Sequence, residues 1–286
     1  MKSFELFEPK SLEEAFALLD HSDPAIRPIG GGTALMLMMK AQLFQPSRLV
    51  SLRHLKGPFR GIAKHSDPLT LRIGAMTTFA ELEESTEVRR HLPAVVAAMP
   101  ALANVRVRNV ATVGGNLAHA DPHLDLPPIW MALDARASIV GPQGRRSVAV
   151  GDLLAGYYET TLSSNELIDE LLVPIRPDWR VTYVKATTRA LHDWPAVGLA
   201  VALKLEGNRI ADLRVVLSAA IDKATRLVST ENALRGAIVD DASLDRAGDV
   251  AASEVTIHSD DRGSADYKSH LLRVHLSRAV RSLIAG

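Results

Sequence analysis

The stretch Pro28-Ile29-Gly30-Gly31-Gly32-Thr33-Ala34-Leu35 joins a run that looks extended, Ala25 to Ile29, to an apolar run of good helix formers, Thr33 to Ala41. Its three glycines end the strand and open the helix. Glycine tolerates positive φ and lets backbone approach a ligand closely. Successive N–H groups at such a turn can form a concave nest for phosphate oxygens, helped by the dipole of the helix behind them. Neither G-x-G-x-x-G nor G-x-x-x-x-G-K-[ST] can be written over these residues, which disfavours a Rossmann loop and a P-loop. Alone, a glycine triplet more often serves a structural turn than a ligand.

Before this turn, Phe4 to Phe7 reads as a short strand. Ser11-Leu12-Glu13-Glu14 reads as a capping box for a helix carrying Leu12, Ala15, Phe16, Leu18 and Leu19 on one side. After it, Leu49 to Leu52 is strand-like, and two extended runs between Arg60 and Ala75 flank the turn Ser66-Asp67-Pro68. Helices are expected at Phe79 to Glu84, at Val88 to Leu102 and at Leu126 to Leu133, where Pro127 and Pro128 fall in the first turn. Ala135 to Val140 and Arg145 to Val150 form a hairpin around Gly141-Pro142-Gln143-Gly144. Pro174-Ile175-Arg176-Pro177-Asp178 cannot sustain regular structure and marks a junction between a domain of residues 1–177 and one of residues 178–286. Beyond it, three antiparallel strands are expected at Arg180 to Thr188, Ala196 to Leu205 and Ile210 to Ala219. Helices follow at Leu227 to Leu234, Leu244 to Ser253 and Tyr267 to Leu283. The fold class is α+β, without the regular βαβ alternation of a doubly wound sheet.

At 286 residues the chain is long enough to bury roughly three quarters of its unfolded surface. Lys plus Arg and Asp plus Glu both number 33, so no net field steers nucleic acid or an anionic membrane toward it. Cysteine is absent, which removes disulfides, thiolate nucleophiles and Cys-ligated zinc or iron–sulfur centres. Redox chemistry here needs a borrowed organic cofactor. Met1-Lys2-Ser3-Phe4-Glu5 does not lead into an apolar segment and no run is long enough to span a bilayer, so the expected location is the cytoplasm.

About 80 positions beyond the first glycines comes a second backbone-rich turn, Val110-Ala111-Thr112-Val113-Gly114-Gly115-Asn116-Leu117-Ala118-His119-Ala120-Asp121-Pro122. Two nests converging on one ligand could hold a diphosphate without a lysine, with Thr112 and Asn116 adding neutral hydrogen bonds. His119, Asp121, His123 and Asp125 are ligand types for a metal, but Pro122 prevents one helix from presenting both imidazoles, so loop packing is favoured. Glu83-Glu84, Asp240-Asp241 and Asp260-Asp261 read as surface charge, and Met36, Met38 and Met39 as core packing. G-x-S-x-G and H-E-x-x-H are missing.

The two glycine segments, with Asp121-Pro122 and Asp125-Leu126-Pro127 after the second, resemble the flavin-binding medium subunit of the molybdenum hydroxylases, the xanthine dehydrogenase and carbon monoxide dehydrogenase family. The resemblance continues through Tyr183-Val184-Lys185, Asp193-Trp194-Pro195-Ala196-Val197 and the helical tail. It implies a vanillyl-alcohol-oxidase-type (PCMH) FAD-binding domain of two α/β subdomains, about 1–56 and 57–177. The cofactor lies between these, and a C-terminal domain with a three-stranded antiparallel sheet and helices follows. It implies noncovalent FAD wrapped at its diphosphate by Arg27, Pro28, Ile29, Gly30, Gly31, Gly32, Thr33, Ala34 and Leu35. Leu102, Ala111, Thr112, Gly114, Gly115, Asn116, Ala118 and His119 would line the opposite wall. Asp125 would bond toward the ribityl chain or flavin edge, Ile168 would pack near the ring, and Lys185 would place a cation there that favours the electron-rich reduced flavin.

By the same resemblance the chain passes electrons from the [2Fe–2S] clusters of a small subunit to an external acceptor. Molybdopterin sits in a large subunit, and the whole is a dimer of heterotrimers. No catalytic residue and no metal ligand is assigned to this chain. Ala34 stands where many relatives carry a polar side chain, and Leu102 where some carry an aromatic. Read without the resemblance, Lys185 is a strand-edge lysine reaching solvent and Asp125 a cap for the helix at Leu126. A standalone flavin oxidase or reductase, the alternative function, needs an acid or base in the ring pocket, for which His119 is the candidate.

Overall fold

The structure, a computed structural model, describes residues 3–20 and 22–285. Met1 and Lys2, at the start of the N-terminus read above, lie outside them. Three larger sheets and one two-stranded ribbon are formed by the described residues. The first contains β1 (Glu5–Phe7), β2 (Ile26–Ile29) and β3 (Arg48–Ser51), all parallel in the order β1-β3-β2. The helices α1 (Leu12–Leu18) and α2 (Thr33–Lys40) make the crossovers. Ser11 Oγ accepts the Glu14 N–H at 3.2 Å as expected of a cap, but the Glu14 carboxylate reaches past Ser11 to the Lys10 N–H. The box is therefore displaced by one residue.

The second sheet is antiparallel, in the order β4-β5-β10-β6-β7. The turn at Ser66-Asp67-Pro68 joins β4 (Ile62–Lys64) to β5 (Thr70–Gly74). Between β5 and the next strand lie α3 (Phe79–Glu84), α4 (Thr86–His91), α5 (Pro93–Ala98), α6 (Val105–Arg108), α7 (Val113–His119) and α8 (Leu126–Ala132). The single helix expected over Val88 to Leu102 is thus several pieces. Pro93 can only open a helix, and Pro100 lies in a short 3₁₀ turn, Met99–Ala101. β6 (Arg136–Gly141) and β7 (Gly144–Ala149) make the expected hairpin, followed by α9 (Val150–Leu153) and a small ribbon of β8 (Leu154–Gly156) and β9 (Glu159–Thr160).

The centre of this sheet, β10 (Leu167–Pro174), is a strand the sequence reading omitted. Asp169 and Glu170 interrupt its apolar run, and a bulge between Ile168 and Glu170 breaks its alternation. Asp169 is fully buried, its carboxylate met by Arg145 from β7.

The third sheet holds the three expected antiparallel strands, β11 (Trp179–Ala186), β12 (Val197–Glu206) and β13 (Arg209–Ser218). A short fourth strand, β14 (Thr225–Arg226), is added at the edge. The helices α10 (Val228–Leu234), α11 (Asp241–Glu254) and α12 (Ala265–Ala285) follow. α11 begins three residues before the expected Leu244 because Asp240 and Ser243 cap it reciprocally. Two apolar cores result. One fills the space around the first two sheets, with Trp130, Phe59 and Met99 fully enclosed, and the other lies between the third sheet and the helical tail. Met39 is buried, whereas Met36 and Met38 are half-buried. No helix among the described residues is long and apolar enough to cross a membrane.

Candidate functional site

Gly32 caps the N-terminus of α2 with φ 72°, a conformation glycine adopts without strain, and no side chain caps this helix among the described residues. Gly30 and Gly31 lie against the second glycine segment. A Cβ on Gly30 would stand 2.8 Å from Thr112 Oγ1, and one on Gly31 would stand 2.7 Å from the Val110 carbonyl carbon and 3.0 Å from Ala111 Cα. The two glycine segments are therefore neighbours in space, pressed together through the missing side chains.

The second segment is not a turn, as expected from its glycines, but a helix start. Thr112 is the N-cap of α7 and its Oγ1 accepts the Gly115 N–H at 3.2 Å. Gly114 faces inward, its N–H donating to the Ala75 carbonyl at 2.7 Å, and a Cβ there would meet Ala75 Cβ at 2.6 Å. Gly115 faces outward, where a Cβ would meet only Thr112 Oγ1, at 2.9 Å. Ala118, one turn further, is exposed too. Asn116 Oδ1 is buried without a hydrogen-bond partner. A ligand with hydroxyl or amide groups, running along the small-residue face of α7, would supply that partner.

Ala120, at φ 51°, ends α7 and turns the chain toward a buried carboxylate. Asp121 accepts the His123 N–H at 2.9 Å, His123 Nδ1 at 3.0 Å and the Tyr158 hydroxyl at 2.8 Å, and lies 4.0 Å from His119 Nε2. Burial pushes the Asp121 carboxyl up, but the hydrogen bonds from His123 and Tyr158 outweigh it and hold the group below its ordinary value. Burial lowers His119, opposed by the Asp121 charge, and raises Tyr158. The His119 ring meets Tyr158 edge to face, with centroids 5.1 Å apart. His119, Asp121 and His123 thus come together, although Pro122 lies past the end of the helix.

A second buried carboxylate sits at the junction with the third sheet. Asp125 Oδ1 accepts the Tyr183 hydroxyl at 2.7 Å and Oδ2 accepts Lys185 Nζ at 3.0 Å, while the same ammonium donates to the Ala101 carbonyl at 2.8 Å. The Lys185 side chain is only 6% exposed, so it does not reach solvent, and Asp125 makes no cap bond to α8. Neither simpler role considered for these two residues is realised. Burial raises Asp125, opposed by Lys185 and Tyr183, and raises Tyr183 strongly. Gly198 makes room for this group, since a Cβ there would stand 2.8 Å from the Tyr183 oxygen.

The remaining expected residues are spread over β2, α2 and the main core. The Arg27 guanidinium lies over the Phe44 ring and donates to the Ile26 carbonyl, while Pro28 and Ile29 pair with β3. Thr33, Ala34 and Leu35 form the half-buried first turn of α2. Leu102, Ala111 and Ile168 are buried in the main core. Ile168 precedes Asp169, whose carbonyl bonds the Ala75 N–H, and Ala75 in turn bonds Gly114. Tyr183, Tyr158 and Asp121 were not among the expected site residues. Tyr183 stood in the quoted Tyr183-Val184-Lys185, two positions before Lys185 and so on the same strand face. Asp260, read as surface charge, is exposed and also pairs with the buried Lys268 at 2.8 Å.

Residues 2–176 match the family described as the FAD binding domain in molybdopterin dehydrogenase, and residues 182–283 match the carbon monoxide dehydrogenase flavoprotein C-terminal domain. The chain is 32% identical over 279 residues to the carbon monoxide dehydrogenase medium chain of Hydrogenophaga pseudoflava, covering 98% of this chain and 96% of the relative. It is also 32% identical to the nicotine 6-hydroxylase medium subunit of Paenarthrobacter nicotinovorans, covering 95% and 94%. Among solved structures, that of carbon monoxide dehydrogenase from Hydrogenophaga pseudoflava superposes with a TM-score of 0.94 at 33% identity, over 99% and 98% of the two chains. Quinoline 2-oxidoreductase from Pseudomonas putida 86 superposes at 0.91 and 29% identity, over 100% and 99%.

Proposed function

The chain belongs to the family of FAD binding domains in molybdopterin dehydrogenases, joined to a C-terminal domain of the carbon monoxide dehydrogenase flavoprotein type, and on that ground we propose that it binds FAD noncovalently as the electron-transferring medium subunit of a heteromeric molybdenum hydroxylase or dehydrogenase. The observation that carries this is the meeting of the uncapped N-terminus of α2 with the Thr112-capped start of α7. Two helix N-termini pressed together favour an anion between them.

The backbone from Gly30 to Leu35 and the exposed edge at Gly115 would hold the diphosphate. The Asn116 amide would meet a polar group of the cofactor. α7 then acts as a ruler about 10 Å long, leading from that end to His119, Asp125 and Lys185 at the flavin end. FAD held there would supply a carrier able to trade electrons singly with iron–sulfur clusters and in pairs with an acceptor. Asp125 and Lys185 present a paired, buried charge to that end, and Tyr183 fixes the carboxylate so that the pair cannot rotate into solvent. His119, kept neutral by burial, lines the wall without placing a charge on it. With the chain divided into domains of residues 1–177 and 178–286, the site draws on both sides of the junction.

The partners are a large molybdopterin-binding subunit and a small [2Fe–2S] subunit, assembled as a dimer of heterotrimers in the cytoplasm. The lack of cysteine in this chain fits that division. A standalone oxidase is disfavoured because the chain spans nearly the whole length of relatives named as medium chains or subunits. Purified protein supplied with FAD is expected to turn yellow with flavin absorbance, and to copurify with two partner chains from its own cells. Protein that stays colourless at saturating FAD, or flavoprotein that oxidises an organic substrate without partners, would overturn the proposal.

A further inference from the structure

His123 is held from three directions. Its Nδ1 is 3.0 Å from Asp121 Oδ1, and because an ionised carboxylate can only accept, Nδ1 carries the hydrogen and donates it. Its ring stacks on Trp194 from the C-terminal domain, centroids 5.1 Å apart and 13° from parallel, with the Arg262 guanidinium on Trp194 at 5.3 Å. Its Nε2 is buried without a hydrogen-bond partner and points to Asp260 Oδ2 at 3.9 Å. Asp260 is itself fixed by Lys268 at 2.8 Å and by the Arg262 N–H at 2.8 Å.

Asp121 lies two positions before His123. Asp121, with a side chain only 1% exposed, is the group against which His119 stands, and its other oxygen holds Tyr158, whose ring meets His119 edge to face. Whatever sets the tilt of the Asp121 carboxylate therefore sets the surroundings of His119. Two of the three donors to that carboxylate come from His123. We propose that His123 is a positioning residue, which clamps Asp121 and Tyr158 behind His119 and thereby ties the placement of the C-terminal domain to the wall of the FAD site; this rests on the function proposed above.

The test compares His123→Ala, His123→Asn and His123→Gln as FAD-loaded full chains. An asparagine amide nitrogen falls where Nδ1 lies and can still donate to Asp121, whereas a glutamine amide falls where Nε2 lies and cannot. FAD release is followed by the rise in flavin fluorescence, the ring environment by visible circular dichroism of the bound flavin, and folding by the far-ultraviolet thermal midpoint. Loss of one charge-assisted hydrogen bond is expected to speed release from the alanine variant roughly tenfold. Asparagine should return it to within about threefold of wild type, with the wild-type flavin spectrum, and glutamine should not. Should alanine fail to fold, the asparagine and glutamine pair makes the same comparison. Wild-type release in the alanine variant, equal rescue by glutamine, or release that simply follows the thermal midpoint would overturn the role. A wrong assignment of FAD shows in the wild-type protein alone, which then takes up no flavin. A wrong role for His123 shows only among variants of a protein that does.

Discussion

Gly31 and Gly115 separate what the glycines do for the fold from what they do for a ligand. A Cβ at Gly31 would stand 2.7 Å from the Val110 carbonyl carbon and 3.0 Å from Ala111 Cα, against an ordinary contact of 3.4–4 Å. These two and the still nearer Val110 carbonyl oxygen are all backbone, so relief requires the two segments to part by more than an ångström. Overpacking of this kind costs about 1–3 kcal/mol, equivalent to a fall in thermal midpoint of very roughly 2–12 °C for a chain of this size. Gly31→Ala should show that loss in flavin-free protein. At Gly115 the first obstacle is one side-chain oxygen at 2.9 Å, and beyond it the space is open. Gly115→Val should leave the flavin-free midpoint nearly unchanged, because removing a helical glycine offsets a small shift of Thr112. The added methyl groups instead fill the face along which FAD would run. Flavin affinity should fall at least tenfold, about 1.4 kcal/mol. Thermal melts followed by far-ultraviolet circular dichroism, with flavin titration on the same samples, give both numbers. A wild-type midpoint for Gly31→Ala would mean that the segments are not pressed together, and full affinity in Gly115→Val would mean that the outward face of α7 is not part of the site.

Three further outcomes are expected. Lys185→Met strands the Asp125 carboxylate in a buried place, a break that costs about 3–5 kcal/mol, so the melt should show a large loss that Asp125→Asn in the same chain substantially repairs. The flavin of Lys185→Met should become harder to reduce relative to wild type as pH rises and the unpaired Asp125 ionises. Potentiometric titration at several pH values that finds a constant gap would place the pair away from the ring. For pH, burial holds His119 below its ordinary 6.5, so its contribution to stability is present above that value and is lost as pH falls through it; Asp121, held below 3.8, follows lower down. Asp125, raised by burial, works in the opposite sense and gains stability as pH falls. The flavin-free midpoint should therefore drop between about pH 7 and 5, and His119→Gln should shrink that drop; an undiminished drop assigns the loss to another group.

Most of the secondary structure was legible because periodic apolar residues and punctuating glycines and prolines act locally. The hairpin around Gly141-Pro142-Gln143-Gly144, the strands of the third sheet and the helix opened by Pro127 and Pro128 fall where those signals stand. β10 was not legible, since a buried aspartate met by Arg145 from another strand looks in sequence like a solvated break. The helix at Gly114 and Gly115 was missed for a related reason. Glycine argues against helix locally, and only the approach of α7 to Ala75 explains why one of them is there.

The sequence by itself determined that two glycine-rich segments recur about 80 positions apart, that no thiolate chemistry is possible, and that these segments resemble those of a flavin-binding family. Chain order carries no information on whether residues 30 and 112 touch, or on what a carboxylate at 125 meets. Those are decided by which strands pair and how the third sheet lies on the first two layers. That packing puts Gly30 beside Thr112 and closes Asp125 between Tyr183 and Lys185, about 60 positions away. Burial there then turns an ordinary aspartate, lysine and tyrosine into one interdependent group, because a charge removed from water is stable only with its partners.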